Sequence, residues 1–423
     1  MMGFDWIWFY WISGLLLALI WIVPTVQLAL HSSEVADLNQ PRWNPPPDTD
    51  LPLLTIVVPA RNEEAEIEPA LRSLLQLNYP RFEVVVVNDR STDQTGAIMD
   101  RIAAEPAAQG RLSVIHVRDL PAGWLGKVHA MWLGSQINAT QKDAAQKNAA
   151  QGFAAQRNAA QENAARQSPS EWLLFTDADC VFQADCLRRA IHYANTTATD
   201  HLVLFPTAHM KTLGERMMIS FPQVMAGFAM RPWKVRDPNA RDHIGVGAFN
   251  LIRRSAYNAI GTYEALRLEV VDDIKLGEAI KKAGLRQDVV FGHELVSLRW
   301  AVGATGVVAN LEKNLFAFLR FRVSLALAVC AVTFFLCVCP FLGLLLAPGW
   351  ARAPFAVAVT MVALAYTLTG RYMAGSPWMF LTCPIAALVF AFATLQSAFI
   401  AVRDGGITWR GTKYSLEELR KKS

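Results

Sequence analysis

Apolar residues along this chain fall into two kinds of run. At 6–30, 323–347, 354–369 and 377–402 they form long blocks almost free of charge. Between about 51 and 310 they come instead as short β-branched stretches alternating with stripes spaced three and four residues apart. The long blocks predict membrane helices, because about 20 helical residues cross the hydrocarbon layer. The middle predicts strands alternating with amphipathic helices. Strands are read at 53–58, 82–87, 112–117 and 202–205, and helices at 93–104, 182–193, 213–230 and 272–283. A helix running to Leu77 carries Ile67, Leu71, Leu74 and Leu75 on one face. This alternation predicts an α/β fold with a parallel sheet and right-handed crossovers, whose loops at 59–64 and 88–93 share one edge.

The stretch Glu171-Trp172-Leu173-Leu174-Phe175-Thr176-Asp177-Ala178-Asp179 ends an apolar run abruptly in two carboxylates. It reads as an interior strand, and α/β sheets bind ligands at the carboxyl ends of such strands. Side chains two apart on an extended segment point the same way, so Asp177 and Asp179 suit one Mg2+ or Mn2+ ion. An Asp after a strand also suits a helix cap. Asp89, just past its strand, suits a base or ribose, as does Glu63; an Asx-turn and a helix N-terminus account for them equally well. Gly123-Trp124-Leu125-Gly126-Lys127 gives a flexible loop whose Lys127 suits a diphosphate, but Val128 follows it, so it is not a Walker loop. Gly245 to Asn250 supplies small residues that permit close backbone approach, to a sugar or to a neighbouring strand. Asp272 and Asp273 open a helix, one as a cap and the other as a candidate catalytic base.

Composition locates the membrane. A hydrophobic share of 53% and a mean hydropathy of +0.22 come from the long blocks. Trp6, Trp8, Tyr10 and Trp11 resemble an interfacial belt, and the absence of an early basic cluster makes residues 1–32 an anchor rather than a removable signal. Residues 33–52, with Arg42-Trp43-Asn44-Pro45-Pro46-Pro47, form a stiff connector to a catalytic domain at 53–309. An interfacial helix at 310–322 then leads to spans at 323–402 and a basic tail at 403–423. The net charge of +4 is scattered around membrane segments, which excludes a nucleic-acid partner. Arg320 and Arg322 before the spans and Arg403, Arg410 and Lys413 after them place both ends in the cytoplasm by the positive-inside rule. Three crossings would put the tail outside. The sequence therefore predicts two full crossings, with a third block re-entrant; the block at 354–369 is the shortest at 16 residues. Six cysteines show no ligand spacing, and an alanine-rich pentad repeat at 139–167 has the character of an inserted, exposed segment.

With these residues assembled, the chain resembles the inverting family 2 glycosyltransferases. Val57-Val58-Pro59-Ala60-Arg61-Asn62-Glu63-Glu64, Val87-Asn88-Asp89-Arg90-Ser91-Thr92-Asp93, Asp177-Ala178-Asp179 and Asp272-Asp273 appear in that family's order. The resemblance implies a GT-A domain, a Rossmann-like mixed sheet. It implies a nucleotide-sugar donor on Pro59, Arg61, Glu63, Asp89, Lys127 and Asp177, Mg2+ or Mn2+ on Asp177 and Asp179, and Asp273 as base beside Asp272. In layout the chain is similar to hopene-associated and carotenoid-type members, which implies a lipid acceptor and a multi-pass bacterial-type inner membrane location with a cytoplasmic catalytic domain. Processive synthases of the family carry Gln-x-x-Arg-Trp; here Val296 stands where the glutamine would, before Arg299-Trp300. That departure favours a single transfer over polymer synthesis, with Arg299 assigned to the diphosphate and Trp300 to the acceptor.

Overall fold

Why so many middle strands read as unbroken valine and isoleucine runs becomes clear from the sheet they build, which helices cover on both faces. The computed structural model describes residues 3–46, 49–136, 171–373, 375–409 and 412–420; the expected insertion at 139–167 lies outside the described residues. The first half of the chain gives α1 (Gly3–His31), β1 (Ala36–Asp37), β2 (Leu54–Ala60), α2 (Ile67–Leu75), β3 (Phe82–Asp89), α3 (Thr95–Ala103), β4 (Leu112–Val117), α4 (Gly126–Gln136) and β5 (Trp172–Phe175). Next come β6 (Val181–Phe182), α5 (Cys186–Thr196), β7 (His201–Phe205), β8 (Thr207–Ala208), α6 (Leu213–Met230), β9 (Asn250–Arg253), α7 (Asp272–Lys282), β10 (Gln287–Phe291) and β11 (Val296–Leu298). The eight-stranded sheet has the order β1-β10-β7-β9-β5-β2-β3-β4. Every residue of β2 and β3 is buried, which is the condition under which a strand loses its polar alternation.

The sheet is mixed, as the family resemblance implied, and not purely parallel as the alternation alone suggested. β9 runs antiparallel between β5 and β7, while the other neighbours are parallel. The reason is where the chain re-enters. After α6 it returns at the carboxyl edge, where Asp177 N donates to Gly247 O at 3.1 Å, so the strand that follows has to run away from that edge. A four-residue strand with only Leu251 and Ile252 at its centre leaves too short a trace to be read in advance. A second correction concerns 182–193. Phe182 belongs to β6, paired antiparallel with β11 in a small sheet of order β6-β11-β8, and the helix begins only at Cys186.

The last third gives α8 (Gly303–Phe318), α9 (Val323–Cys337), α10 (Cys339–Leu346), α11 (Ala353–Met373), α12 (Cys383–Arg403) and the hairpin β12 (Gly406–Trp409) with β13 (Thr412–Ser415). The interfacial helix expected at 310–322 starts seven residues earlier, at Gly303, because a buried carboxylate described below caps it. Pro340, at the start of α10, sits at a break in an otherwise continuous apolar helix, as a ring that cannot donate its backbone N–H requires. Four helical stretches are long and apolar enough to cross a membrane: 6–34, 323–346, 349–373 and 377–403. The length argument against 354–369 therefore fails, since its helix extends to 21 residues. α1 packs along α11, with Gly14 set against Pro354 and Phe355 and Tyr10 edge-on to Phe355. Trp6, Trp8 and Trp350 lie exposed at that end of the bundle. The hairpin turns back onto the sheet domain, where Tyr414 is buried in a cluster with Trp124, Leu125 and Val128.

Candidate active site

The two polar loops at the carboxyl edge are fastened to each other by side-chain to backbone bonds. Thr92 N donates to Asn62 Oδ1 at 2.8 Å and Asn62 N to Ser91 Oγ at 3.0 Å. Glu63 N donates to Thr95 Oγ1 at 2.7 Å and Gln94 N to Glu64 Oε2 at 3.0 Å. Pro59 closes the core of β2, opposite Val87. Asn62 and Arg90 both take left-handed backbone, with φ of 55° and 56°. Asparagine tolerates this; for arginine it is strain of the kind that surrounding structure has to impose. Asp89 accepts from Arg90 Nε at 2.8 Å, with Arg61 Nη1 at 3.9 Å on its other oxygen. Asp89 is wholly buried. Gly126 opens α4 directly against it: a Cβ there would lie 2.2 Å from Asp89 Oδ2. A carboxylate so close to a helix N-terminus is electrostatically favoured.

β5 delivers the second group. Thr176 Oγ1 donates to Ala248 O at 2.8 Å, which stacks the 245–248 segment on the strand's end. Lys127, from the first turn of α4, places Nζ 2.7 Å from Asp177 Oδ1 and 3.8 Å from Asp272 Oδ1. At Gly247 a Cβ would come within 2.4 Å of Asp177 Oδ2 and 3.2 Å of Lys127 Nζ, so glycine is what lets the carboxylate and the lysine meet. Asp273 Oδ2 accepts from Gly247 N at 3.0 Å, and its Oδ1 from Ile274 N at 2.8 Å. Lys127, Asp177, Asp272 and Asp273 thus form one cluster from three elements.

Its electrostatics are lopsided. Burial pulls the Lys127 ammonium down, but the charges of Asp177, Asp272 and Asp273 outweigh it and hold the group protonated well above the usual lysine range. Burial pushes Asp273 above the ordinary carboxylate range, opposed by Lys127 and by the Ile274 and Gly247 N–H groups. Burial, then the charge of Asp177, pushes Asp179 up to about 6. One ammonium faces an excess of carboxylates. Two hard-oxygen donors, Asp177 and Asp179, in a pocket with an excess of carboxylates fit a divalent cation. Among the described residues no three His, Cys, Asp or Glu side chains converge as metal ligands. Since Lys127 also occupies Asp177 Oδ1, the protein alone supplies an incomplete set.

Arg299 and Trp300 follow β11. Arg299 Nη2 donates to Glu215 Oε1 at 2.8 Å, and its Nε is buried with no hydrogen-bond partner. Glu215 is the residue that sequence reasoning missed. Fully buried, it also accepts from Gly303 N at 2.8 Å and from Lys211 N at 2.7 Å, and the Gly303 N–H and Arg299 hold its carboxyl down at about 2. It joins the start of α6, the Arg299 segment and the start of α8. A signal was present in Thr212-Leu213-Gly214-Glu215, the spacing of a capping box, and Thr212 Oγ1 does accept from Glu215 N at 3.2 Å. Trp300 packs on the apolar cluster that also takes Ala208 and Met210. Those two residues line a cavity of about 360 Å3 with His209, Arg216, Glu294 and Ser376, between the catalytic domain and the α11–α12 connection.

A curated relative, the 4,4'-diaponeurosporenoate glycosyltransferase of Staphylococcus aureus, is 23% identical over 372 residues, covering 86% of this chain and 89% of its own length. Two solved structures overlay more loosely. A mannosyltransferase from Pyrobaculum calidifontis, in complex with GDP-Man and Mn2+, gives a TM-score of 0.44 at 18% identity over 90% of this chain and 99% of that one. Glucosyl-3-phosphoglycerate synthase from Mycobacterium tuberculosis, in complex with Mn2+, UDP and glucosyl-3-phosphoglycerate, gives 0.35 at 16% identity over 63% and 79%. The model of the glycosyltransferase like family 2 matches residues 52–297, from β2 through the Asp89, Asp177 and Asp273 positions to β11, and the chain belongs to that family.

Proposed function

We propose that this glycosyltransferase is membrane-bound and moves a sugar, with inversion, from a nucleoside diphosphate sugar to the hydroxyl of a lipid acceptor. The observation that carries the reading is Asp273: a buried carboxylate above its usual range, held by two backbone N–H groups beside the Lys127–Asp177 pair. A carboxyl raised in this way is a stronger base than an ordinary carboxylate, which is what proton abstraction from an acceptor asks for. Asp273 takes the acceptor proton; the acceptor oxygen forms a bond to the anomeric carbon as the bond to the diphosphate breaks on the opposite side. No covalent enzyme intermediate forms. Asp89, with Arg61 and Arg90, binds the nucleoside, and Lys127 holds Asp177 toward the diphosphate. A Mg2+ or Mn2+ ion carried by Asp179 and Asp177 would neutralise charge on the leaving group.

The acceptor side is assigned to the cavity near Trp300, because it lies where the catalytic domain meets span-length helices. The carotenoid relative's name supports a lipid of isoprenoid type. The catalytic domain is placed at the cytoplasmic face of an inner-type membrane. Because the tail hairpin rests on that domain, this reading has one of the three span-length helices after Arg322 turn back without crossing, which keeps the basic tail on the side that the positive-inside rule favours. The test is to incubate membranes containing the protein with a panel of radiolabelled nucleotide sugars and extract the lipids. Label is expected in the lipid fraction with one donor; label confined to a high-molecular-weight polymer would replace this reading with processive synthesis.

A further inference from the structure

The hairpin β12–β13 lies beyond residue 297, where the family match ends, yet it touches the nucleotide loops directly. Two bonds make the contact. Tyr414 Oη donates to Trp124 O at 2.9 Å, in the loop that leads into Gly126 and Lys127. Arg90 Nη1 donates to Thr412 Oγ1 at 3.2 Å, and the same guanidinium holds Asp89 through Nε. Both arms converge on one point, since Gly126 is the residue whose missing Cβ makes room for Asp89 Oδ2 and Arg90 Nη2. Tyr414 is 6% exposed, and burial raises its phenol while Arg90, Asp89 and Arg61 act on it electrostatically. Tyr414 belongs to an apolar cluster that also takes Trp124, Leu125, Val128, Phe316, Phe321 and Ala326.

We infer that the paired strands β12 and β13 are a wall of the nucleotide site, and that Tyr414 and Thr412 are positioning residues for the donor. Thr412 keeps Arg90 in its strained left-handed conformation and so fixes the face of Asp89; Tyr414 pins the Trp124 carbonyl and so fixes where α4 begins. The hairpin follows α12 after a two-residue connection, Asp404-Gly405, so the seating of the last apolar helix is linked to donor binding. The inference rests on Asp89 being the nucleotide-binding carboxylate, as proposed above.

Full-length protein in detergent is titrated calorimetrically with UDP and with GDP, for wild type, Asp89→Asn, Tyr414→Phe, Thr412→Val and Thr412→Ser. Phenylalanine keeps the buried ring, so the fold is retained and only the bond to Trp124 is lost. Tyr414→Phe and Thr412→Val should each weaken the tighter nucleotide about 5-fold, the scale of one hydrogen bond, and Thr412→Ser should restore it. With the best sugar donor, the donor KM should rise by the same factor while kcat and the acceptor KM stay within about 2-fold. If Asp89→Asn binds as wild type does, the nucleotide reading itself is overturned. If Asp89→Asn binds weakly while both hairpin variants bind as wild type, or lose only thermal stability, the hairpin has no part in the donor site.

Discussion

Gly245→Ala should disable this enzyme without touching any side chain of the active site. A Cβ at Gly245 would stand 1.8 Å from the carbonyl oxygen of Asp273, 2.1 Å from its carbonyl carbon and 2.7 Å from Ile274 N. Ordinary contact begins at 3.4 Å, so the Gly245 segment and the start of α7 would have to separate by about 1.6 Å, and both partners are backbone with no rotamer to give way. That shift would stretch the 3.0 Å bond from Gly247 N to Asp273 Oδ2 beyond hydrogen-bonding range. Overpacking of this kind destabilises by about 1–3 kcal/mol, which leaves a sizeable folded fraction. A misplacement of about 1 Å at a reacting group costs on the order of 10²-fold in rate. Turnover should therefore fall about 10²-fold, with donor affinity within a few-fold, measured on protein shown to be folded by size-exclusion chromatography and thermal unfolding. Gly227→Ala is the control, because a Cβ there, inside α6, meets nothing within 4 Å and alanine favours helix. Wild-type turnover in Gly245→Ala would refute the placement of Asp273 derived from this geometry.

Asp273→Asn should leave nucleotide binding nearly intact and lower kcat by about 10²-fold or more; full activity would remove it as the base. For Asp179 the sign runs toward acid: its folded value of about 6 lies above the ordinary 3.8, so without metal the carboxyl favours the folded state at low pH and loses that advantage as pH rises through about 6. Stabilisation by Mn2+, read as a shift in Tm, should accordingly be present at pH 7.5, fade below about 6 and be absent in Asp179→Asn. Glu215 runs the other way, lowered from 4.5 to about 2, so its contribution is present above about 4.5 and lost as pH falls toward 2. Glu215→Gln should unfold more readily at neutral pH and show a flatter acid titration; unchanged unfolding would deny it the role of joining α6, Arg299 and α8. A cysteine at Ser423, in a cysteine-free background, should escape a membrane-impermeant maleimide in intact cells; labelling there would mean an odd number of crossings after Arg322.

Much of this protein was legible in its sequence because the signals are local. Valine-rich runs at 53–58 and 82–87 mark buried strands wherever they are placed, and an apolar stretch ending in Asp177-Ala178-Asp179 marks the carboxyl edge of a sheet. Long uncharged blocks mark helices that lipid or protein has to cover. The orders of Asp89, Asp177 and Asp273 along the chain carried the family. What stayed hidden depends on partners far apart in sequence. The direction of β9 was decided by where α6 returns the chain, and β6 exists only because β11 is there to pair with it. Glu215 looks like a helix cap until the fold sets Arg299 and Gly303 N against it. The glycines at 245 and 247 read as generic small residues, and only the packed structure shows that one carries the backbone of Asp273 and the other lets Lys127 reach Asp177. The tail read only as a basic cytoplasmic end; the fold buries Tyr414 against a loop 290 residues earlier in the chain. Periodicity and chemistry along the chain specify elements and their edges, whereas closure of a buried polar cluster needs desolvation and contacts that exist only once those elements have met.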